Sequence, residues 1–166
     1  NLVFGEDTWV LEGPGVIPVV ETPFGRIGIA ICKDMEFSDY MRQAGKQNAD
    51  IVLAPSYEAI RSLSITYAQM LRSIEHGFSF VRPCANGLSI AVDFNGRILS
   101  SMNYFTSSNS IMYADVPTKG IRTIYTFIGD LFAWICVFVL CGFILNTILR
   151  AGKLDAIESI SQNRNE

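Results

Sequence analysis

The stretch "GRIGIAICKDMEF", Gly25 to Phe37, decides how this chain is read. An apolar run rich in isoleucine ends in Cys32, and Lys33, Asp34 and Glu36 stand immediately behind it. Residues 26 to 32 read as a strand and the preceding "VIPVVET", 16 to 22, as another; the tight turn "PFG" between them predicts a hairpin. Cys32 therefore closes a strand and faces a turn, a place where α/β folds commonly present a nucleophile. The thiolate is the reactive form, and a nearby cation such as Lys33 favours it. Taken alone, a cysteine that ends a strand is more often a buried and inert thiol, and these residues leave both readings open.

Working outward, Ser38 is placed to N-cap a short helix from Asp39 to Gln47. "DIVLAP", 50 to 55, reads as a strand buried on both faces. A helix from Leu63 to His76 carries Leu63, Tyr67, Met70 and Ile74 at spacings of four, three and four, which predicts one apolar stripe facing a core, and Gly77 stops it. Strands follow at 78–85, 88–94, 97–101 and 110–116, with Asn95-Gly96 predicting a type I′ turn. The order predicts an α+β layer fold, with helices packed on a mixed sheet.

With 166 residues, 49% of them hydrophobic, the chain can build one domain with a core, and a net charge of −3 argues against a nucleic-acid partner. The hydrophobic content is uneven. Residues 124–149, which include the uncharged "LFAWICVFVLCGFIL", predict one transmembrane helix, since about 20 apolar residues span a bilayer. Lys119 and Arg122 before it and Arg150 and Lys153 after it leave its orientation open. A polar tail, 150–166, follows. The chain begins at Asn1 rather than Met and reads as a piece of a longer protein.

Cys32, Cys84, Cys136 and Cys141 show no zinc-type spacing, so neither a metal nor a cofactor is expected. Cys84 reads as core, and Cys136 and Cys141 as small residues of the apolar segment. His76, the single histidine, sits at a helix end, where the dipole favours it for structural reasons; a Cys-His pairing with Cys32 is the lesser reading.

The two segments "GRIGIAICKDMEFSDYMRQAGKQNADIVLAPS" and "RSIEHGFSFVRPCANGLSIAVDFNGRIL" together resemble the carbon-nitrogen hydrolase (nitrilase) superfamily. With the apolar segment added, the resemblance narrows to its membrane-bound branch, the bacterial apolipoprotein N-acyltransferases. The resemblance implies a nitrilase-like αββα sandwich, of which residues 1–118 would be the C-terminal part, followed by one transmembrane helix. It implies that Cys32 is the nucleophile, that Glu6 in "NLVFGE" is a second glutamate of the site, and that Glu75 supports the site from its helix. The backbone N–H of Lys33 would help stabilise an oxyanion, with Asp34 as a secondary candidate. A general-base glutamate and a catalytic lysine would lie upstream of Asn1, so the chain by itself should be inactive.

The implied partners are a phospholipid acyl donor and a lipoprotein acceptor. The implied location is the bacterial inner membrane, with the domain periplasmic and the tail cytoplasmic. Lys33 and Asp34 depart from the branch, which carries an aromatic residue and a glutamate there. A membrane-tethered amidase and a non-catalytic nitrilase-like domain are therefore the alternatives.

Overall fold

The structure, a computed structural model, describes residues 13–58, 63–106 and 111–163. Val19–Thr22 (β1) and Gly25–Ile29 (β2) form the expected antiparallel hairpin, pairing Thr22 with Gly25 across the turn. The Thr22 hydroxyl closes that turn: it donates to the Gly25 carbonyl at 2.7 Å and accepts the Phe24 N–H at 3.2 Å. A 3-10 turn, Cys32–Glu36, leads into Ser38–Lys46 (α1), then Ile51–Leu53 (β3), Ser56–Tyr57 (β4) and Leu63–His76 (α2). Ser79–Arg82 (β5), Cys84–Ala85 (β6), Leu88–Val92 (β7) and Ile98–Asn103 (β8) follow, and then Ile124–Ile128 (α3) and Leu131–Asn163 (α4).

Among the described residues six strands form one mixed sheet in the order β1-β2-β3-β5-β7-β8, and β4 and β6 form a small parallel sheet of their own. The β2-β3 and β3-β5 pairs are parallel and the outer pairs antiparallel, so the carboxyl ends of β2, β3 and β5 lie side by side. Val52, Phe80 and Val92 pair in register across three neighbouring strands and are all fully buried. They belong to one core with Met35, Met41, Ala44 and Phe78, and each large side chain buried there stabilises the fold by about 1.5–3 kcal/mol. The opposite face of the sheet is different. Ile29 and Leu53 are partners in register, and both are exposed.

Several expectations are corrected. Helix α2 spans Leu63–His76 as read, and Gly77 stops it at φ +74, where a Cβ would lie 2.0 Å from the Ile121 carbonyl oxygen. Its buried face, however, is polar: Thr66, Gln69, Ser73 and His76 are each at most 2% exposed, while Tyr67 and Ile74 are 49% and 47% exposed. Of the expected stripe, Met70 packs against the core as read, while Tyr67 and Ile74 turn outward beside the buried polar face. Ser38 is the first residue of α1 rather than its cap, and its hydroxyl lies 3.3 Å from the Tyr125 hydroxyl.

The turn after β7 is not type I′. The Gly96 N–H bonds the Asp93 carbonyl and the Arg97 carbonyl accepts from Asp93, with only Gly96, at φ +80, left-handed. This is a three-residue loop that the Asp93 carboxylate caps through the Asn95 and Arg97 amides. Of the strand expected at 110–116, residue 110 lies outside the described residues and 111–116 form none, with no strand beside them to pair with among the described residues. The apolar segment is two helices rather than one, broken at Gly129-Asp130, and α4 runs on through the polar tail to Asn163. Leu131–Arg150 is long and apolar enough to cross a membrane, with a mean hydropathy of 2.4.

The chain divides into two units at Phe127/Ile128. Within the first, Asp50 and His76 fasten the segment that follows the sheet. The Asp50 carboxylate accepts the Arg26 N–H at 2.8 Å and the Gly120 N–H at 2.9 Å, and Lys119 lies 3.6 Å away. Burial pushes this carboxyl up, but the two amides and Lys119 more than offset that and hold it below its ordinary value. His76 packs against Phe78 and Tyr125, with Nδ1 3.4 Å from the Thr126 hydroxyl. Burial, with the Arg72 and Arg42 charges adding to it, pushes its pKa down to about 4. His76 is thus a neutral packing residue, not a cation serving the helix dipole.

These two shifts predict separate pH windows. The contribution of His76 is complete above its unfolded pKa near 6.5 and is lost as pH falls towards 4, at most about 3 kcal/mol. That of Asp50 persists through this range and is lost only in stronger acid, as pH falls through its depressed pKa. Urea unfolding at pH 7 and pH 5 should show a smaller loss in His76→Gln than in wild type, and an unchanged loss in Asp50→Asn. Equal losses in wild type and His76→Gln would contradict the assignment.

Candidate active site

The last ladder bonds of β2 and β3 continue past the strands: the Ala30 N–H bonds the Leu53 carbonyl at 3.0 Å, and the Cys32 N–H bonds the Pro55 carbonyl at 3.1 Å. Cys32 therefore sits just beyond the carboxyl ends of two parallel strands, three residues later than the strand itself. Its φ of +46 lies in the left-handed region, which for a residue with a side chain costs on the order of 1–3 kcal/mol and persists only where the surroundings enforce it.

That enforcement can be followed atom by atom. Asp34 caps the turn, its carboxylate accepting the Ile31 N–H at 2.8 Å and its own N–H bonding the Ile31 carbonyl at 2.9 Å. The Cys32 carbonyl accepts a hydrogen bond from Gln69 Nε2 at 3.3 Å, and the Cys32 thiol points to the Tyr57 carbonyl at 3.6 Å. The thiol-bearing residue is partly exposed, so a substrate can reach it.

Tyr57 is placed by the small sheet, in which it pairs with Ala85, while the Glu58 N–H also bonds the Ala85 carbonyl. Behind it lies a buried ion pair. Arg82 Nη2 is 2.7 Å from Glu58 Oε1, and both side chains are almost fully enclosed. Arg82 Nη1 donates to the Thr66 hydroxyl at 3.0 Å and the Leu88 carbonyl at 2.9 Å, and Thr66 donates to Glu58 at 3.2 Å. Asn86, itself left-handed at φ +63, donates from Nδ2 to the Glu58 carbonyl at 2.8 Å. These hydrogen bonds offset the desolvation of the pair, although Arg82 Nε is buried without a partner among the described residues.

Beside the turn, Met35, Glu36, Ile65, Ala68, Gln69 and Arg72 line an open groove of about 400 Å³. Cys84 is buried, as its sequence setting suggests, and its thiol donates to the Ala85 carbonyl at 3.5 Å. Burial pushes that thiol up, the Arg82 charge works against this, and the Glu58 and Cys32 charges add to it.

Of the residues singled out from the sequence, Cys32, Lys33 and Asp34 lie together in the turn. Lys33 is exposed, and the Asp34 carboxylate is occupied in capping. Glu75 pairs with Arg72, and its carbonyl accepts from the Thr123 hydroxyl. The carbonyl thus meets the segment leading to α3, whereas Arg72, the partner of the side chain, lines the groove beside the turn. Glu6 lies outside the described residues. His76 meets Glu75, Phe78, Tyr125 and Thr126. Among the described residues no group of three or more His, Cys, Asp or Glu could hold a metal ion. Sequence reasoning missed Tyr57, Glu58, Thr66, Gln69 and Arg82. The available signal was a polar face on α2 at spacings of three, four and three, masked by a competing apolar stripe.

The family model described as carbon-nitrogen hydrolase matches residues 2–125. The chain is 31% identical over 152 residues to an apolipoprotein N-acyltransferase of Chlamydia pneumoniae, covering 84% of this chain and 28% of that protein. It spans about a quarter of the length of the curated relatives it matches first. Among solved structures, a carbon-nitrogen hydrolase from Helicobacter pylori superposes with a TM-score of 0.61 at 17% identity, covering 69% of this chain and 48% of that one. An amidase variant from Nesterenkonia sp., with the acetamide moiety of fluoroacetamide covalently added at its active site cysteine, superposes with a TM-score of 0.56 at 22% identity, covering 60% and 41%.

Replacing Arg82 by Met should leave the Glu58 carboxylate buried and unpaired and cost about 3–5 kcal/mol. The double variant with Glu58→Gln should cost less than the sum of the two single changes. Urea titration of the four proteins checks this, and a loss below about 1 kcal/mol in Arg82→Met would contradict the buried-pair assignment.

Proposed function

Because this chain belongs to the carbon-nitrogen hydrolase family, we propose that it is the nucleophile-bearing C-terminal part of a membrane-anchored thiol acyltransferase. The observation that carries this reading is the geometry of Cys32: a partly exposed thiol held in a left-handed turn at the ends of two parallel strands. The likeness to apolipoprotein N-acyltransferases and the apolar helix Leu131–Arg150 support the membrane and acyl-transfer elements.

In the full-length protein an upstream glutamate takes the Cys32 proton, and the thiolate attacks the ester carbonyl of a phospholipid. The Lys33 N–H stabilises the developing oxyanion, worth about 3–4 kcal/mol for a donor of this kind. The C–O bond breaks, the lysophospholipid alkoxide leaves with a proton, and a thioester remains on Cys32. The terminal amine of a lipoprotein then attacks the thioester. The C–S bond breaks, the amine loses its proton, and the thiol is restored as the amide forms. Glu6 is the second glutamate of this site and Glu75 a supporting residue. The helix Leu131–Arg150 lies in the bacterial inner membrane with the domain on the periplasmic side, which keeps the thiol close to an insoluble substrate and raises its effective concentration.

The uncovered apolar sheet face, with Ile29 and Leu53 exposed in register, receives the second sheet of an αββα sandwich in this reading. A membrane-tethered amidase, using water in place of the amine, is the second reading. The fold likeness to an amidase is consistent with it, and Lys33, where the acyltransferases and many amidases carry an aromatic residue, leaves it open.

Intact-protein mass spectrometry of the full-length protein mixed with phospholipid should show an acyl adduct that Cys32→Ser abolishes. A wild type without adduct, or an undiminished adduct in Cys32→Ser, would overturn the acyltransferase reading. Ammonia release from soluble carboxamides would favour the amidase.

A further inference from the structure

All three polar groups of Cys32 are held, two by the chain leaving β3 and one by helix α2. Its N–H goes to the Pro55 carbonyl, its thiol to the Tyr57 carbonyl, and its own carbonyl to Gln69 Nε2. The first two contacts come from the chain leaving β3, which any parallel neighbour could supply. The third comes from a helix 37 residues away, through a side chain that is 1% exposed. Gln69 Oε1 is buried with no hydrogen-bond partner among the described residues. A core site filled for packing alone would favour an apolar side chain of the same size, since an unpartnered buried acceptor is a cost. The amide is therefore held there for its donor.

Gln69 does not act alone. Thr66 lies one helical turn before it on the same buried face and is bonded to both members of the Glu58–Arg82 pair. Glu58 in turn follows Tyr57, whose carbonyl accepts from the thiol. The contacts close a ring: Cys32, Gln69, α2, Thr66, Glu58 and Tyr57, back to Cys32.

We infer that this ring is a positioning device for the nucleophile, with Gln69 the positioning residue that fixes the left-handed Cys32 turn and the Glu58–Arg82 pair fixing the carbonyl that the thiol faces. The inference rests on the reading of Cys32 as the nucleophile. Gln69 restrains the Cys32 carbonyl, so the N–H groups that follow it, including that of Lys33, keep their direction when a tetrahedral intermediate forms. Electrostatic stabilisation depends on such donors being fixed in advance.

The test uses the full-length protein with Gln69→Leu, which keeps the side-chain volume while removing the donor together with its unpartnered acceptor. Four quantities are read: amide hydrogen exchange of residues 31–36, the melting temperature, and the single-turnover rate and half-saturating phospholipid concentration for acylation of Cys32. The device predicts exchange in 31–36 at least about tenfold faster. It also predicts an unchanged or higher melting temperature, and acylation slowed about tenfold at saturating phospholipid with half-saturation unchanged. Thr66→Val, which cuts the ring at its other side, should speed exchange at Tyr57 and Glu58.

Unchanged exchange in 31–36 in Gln69→Leu would overturn the inference whatever the chemistry. Faster exchange with wild-type acylation kinetics would overturn the positioning role. Faster exchange in a protein whose wild type forms no acyl adduct would overturn the acyltransferase reading and leave the ring standing as the restraint on this turn.

Discussion

The ion pair between Glu58 and Arg82 is the interaction on which the candidate site depends. Two opposite charges enclosed 2.7 Å apart depend on further hydrogen bonds to offset their desolvation, and Arg82 Nε is buried without one among the described residues. The partners found here are Thr66 on α2 and the Leu88 carbonyl at the start of β7. The pair therefore joins the end of β5 to the loop after β4 and to the helix above them. That junction lies directly behind Tyr57, and through Tyr57 it reaches the thiol of Cys32. A salt bridge that adds little net stability can still fix where a neighbouring carbonyl points, and that is its role in this arrangement.

A second set of polar contacts closes the other end of the domain. Asp50 gathers amides from β2 and from the segment after the sheet, and Gly77 offers its carbonyl to Ile121 at 2.7 Å. Arg42 donates from Nε to the Thr126 carbonyl at 2.8 Å and from Nη2 to the Phe127 carbonyl at 2.6 Å. Residues 117–127 are thus tied to both helices and to the sheet without forming a strand. Helix α2 runs the length of the domain between these two ends. Its polar face meets Glu58, Arg82 and Cys32 at one end and, through His76, Thr126 at the other.

The sequence made some of this legible, and physical reasons separate what it did from what it did not. The bounds of α2 could be read because a helical repeat ended at a glycine, and the hairpin because a two-residue turn joined two apolar runs. The orientation of α2 could not. Leu63, Tyr67, Met70 and Ile74 form a valid apolar stripe, yet of these Met70 packs on the core while Tyr67 and Ile74 are exposed, and only the distant Glu58 and Arg82 reveal that the adjoining polar face is buried. Residues 110–116 alternate like a strand, but alternation carries no information about whether a partner is adjacent. Cys32 stood out because charges follow it directly. Its restraints did not, because two of its three contacts are backbone carbonyls, which leave no trace in the identity of Pro55 or Tyr57.

Cys32 is partly exposed in a left-handed turn while Cys84 is buried, and in the proposed reading this makes the first thiol reactive and the second inert. Peptide mapping after treatment of the full-length protein in membranes with a substoichiometric haloacetamide measures this directly. The account predicts that Cys32 is alkylated well ahead of Cys84; labelling of Cys84 first, or of both at equal rates, would contradict it.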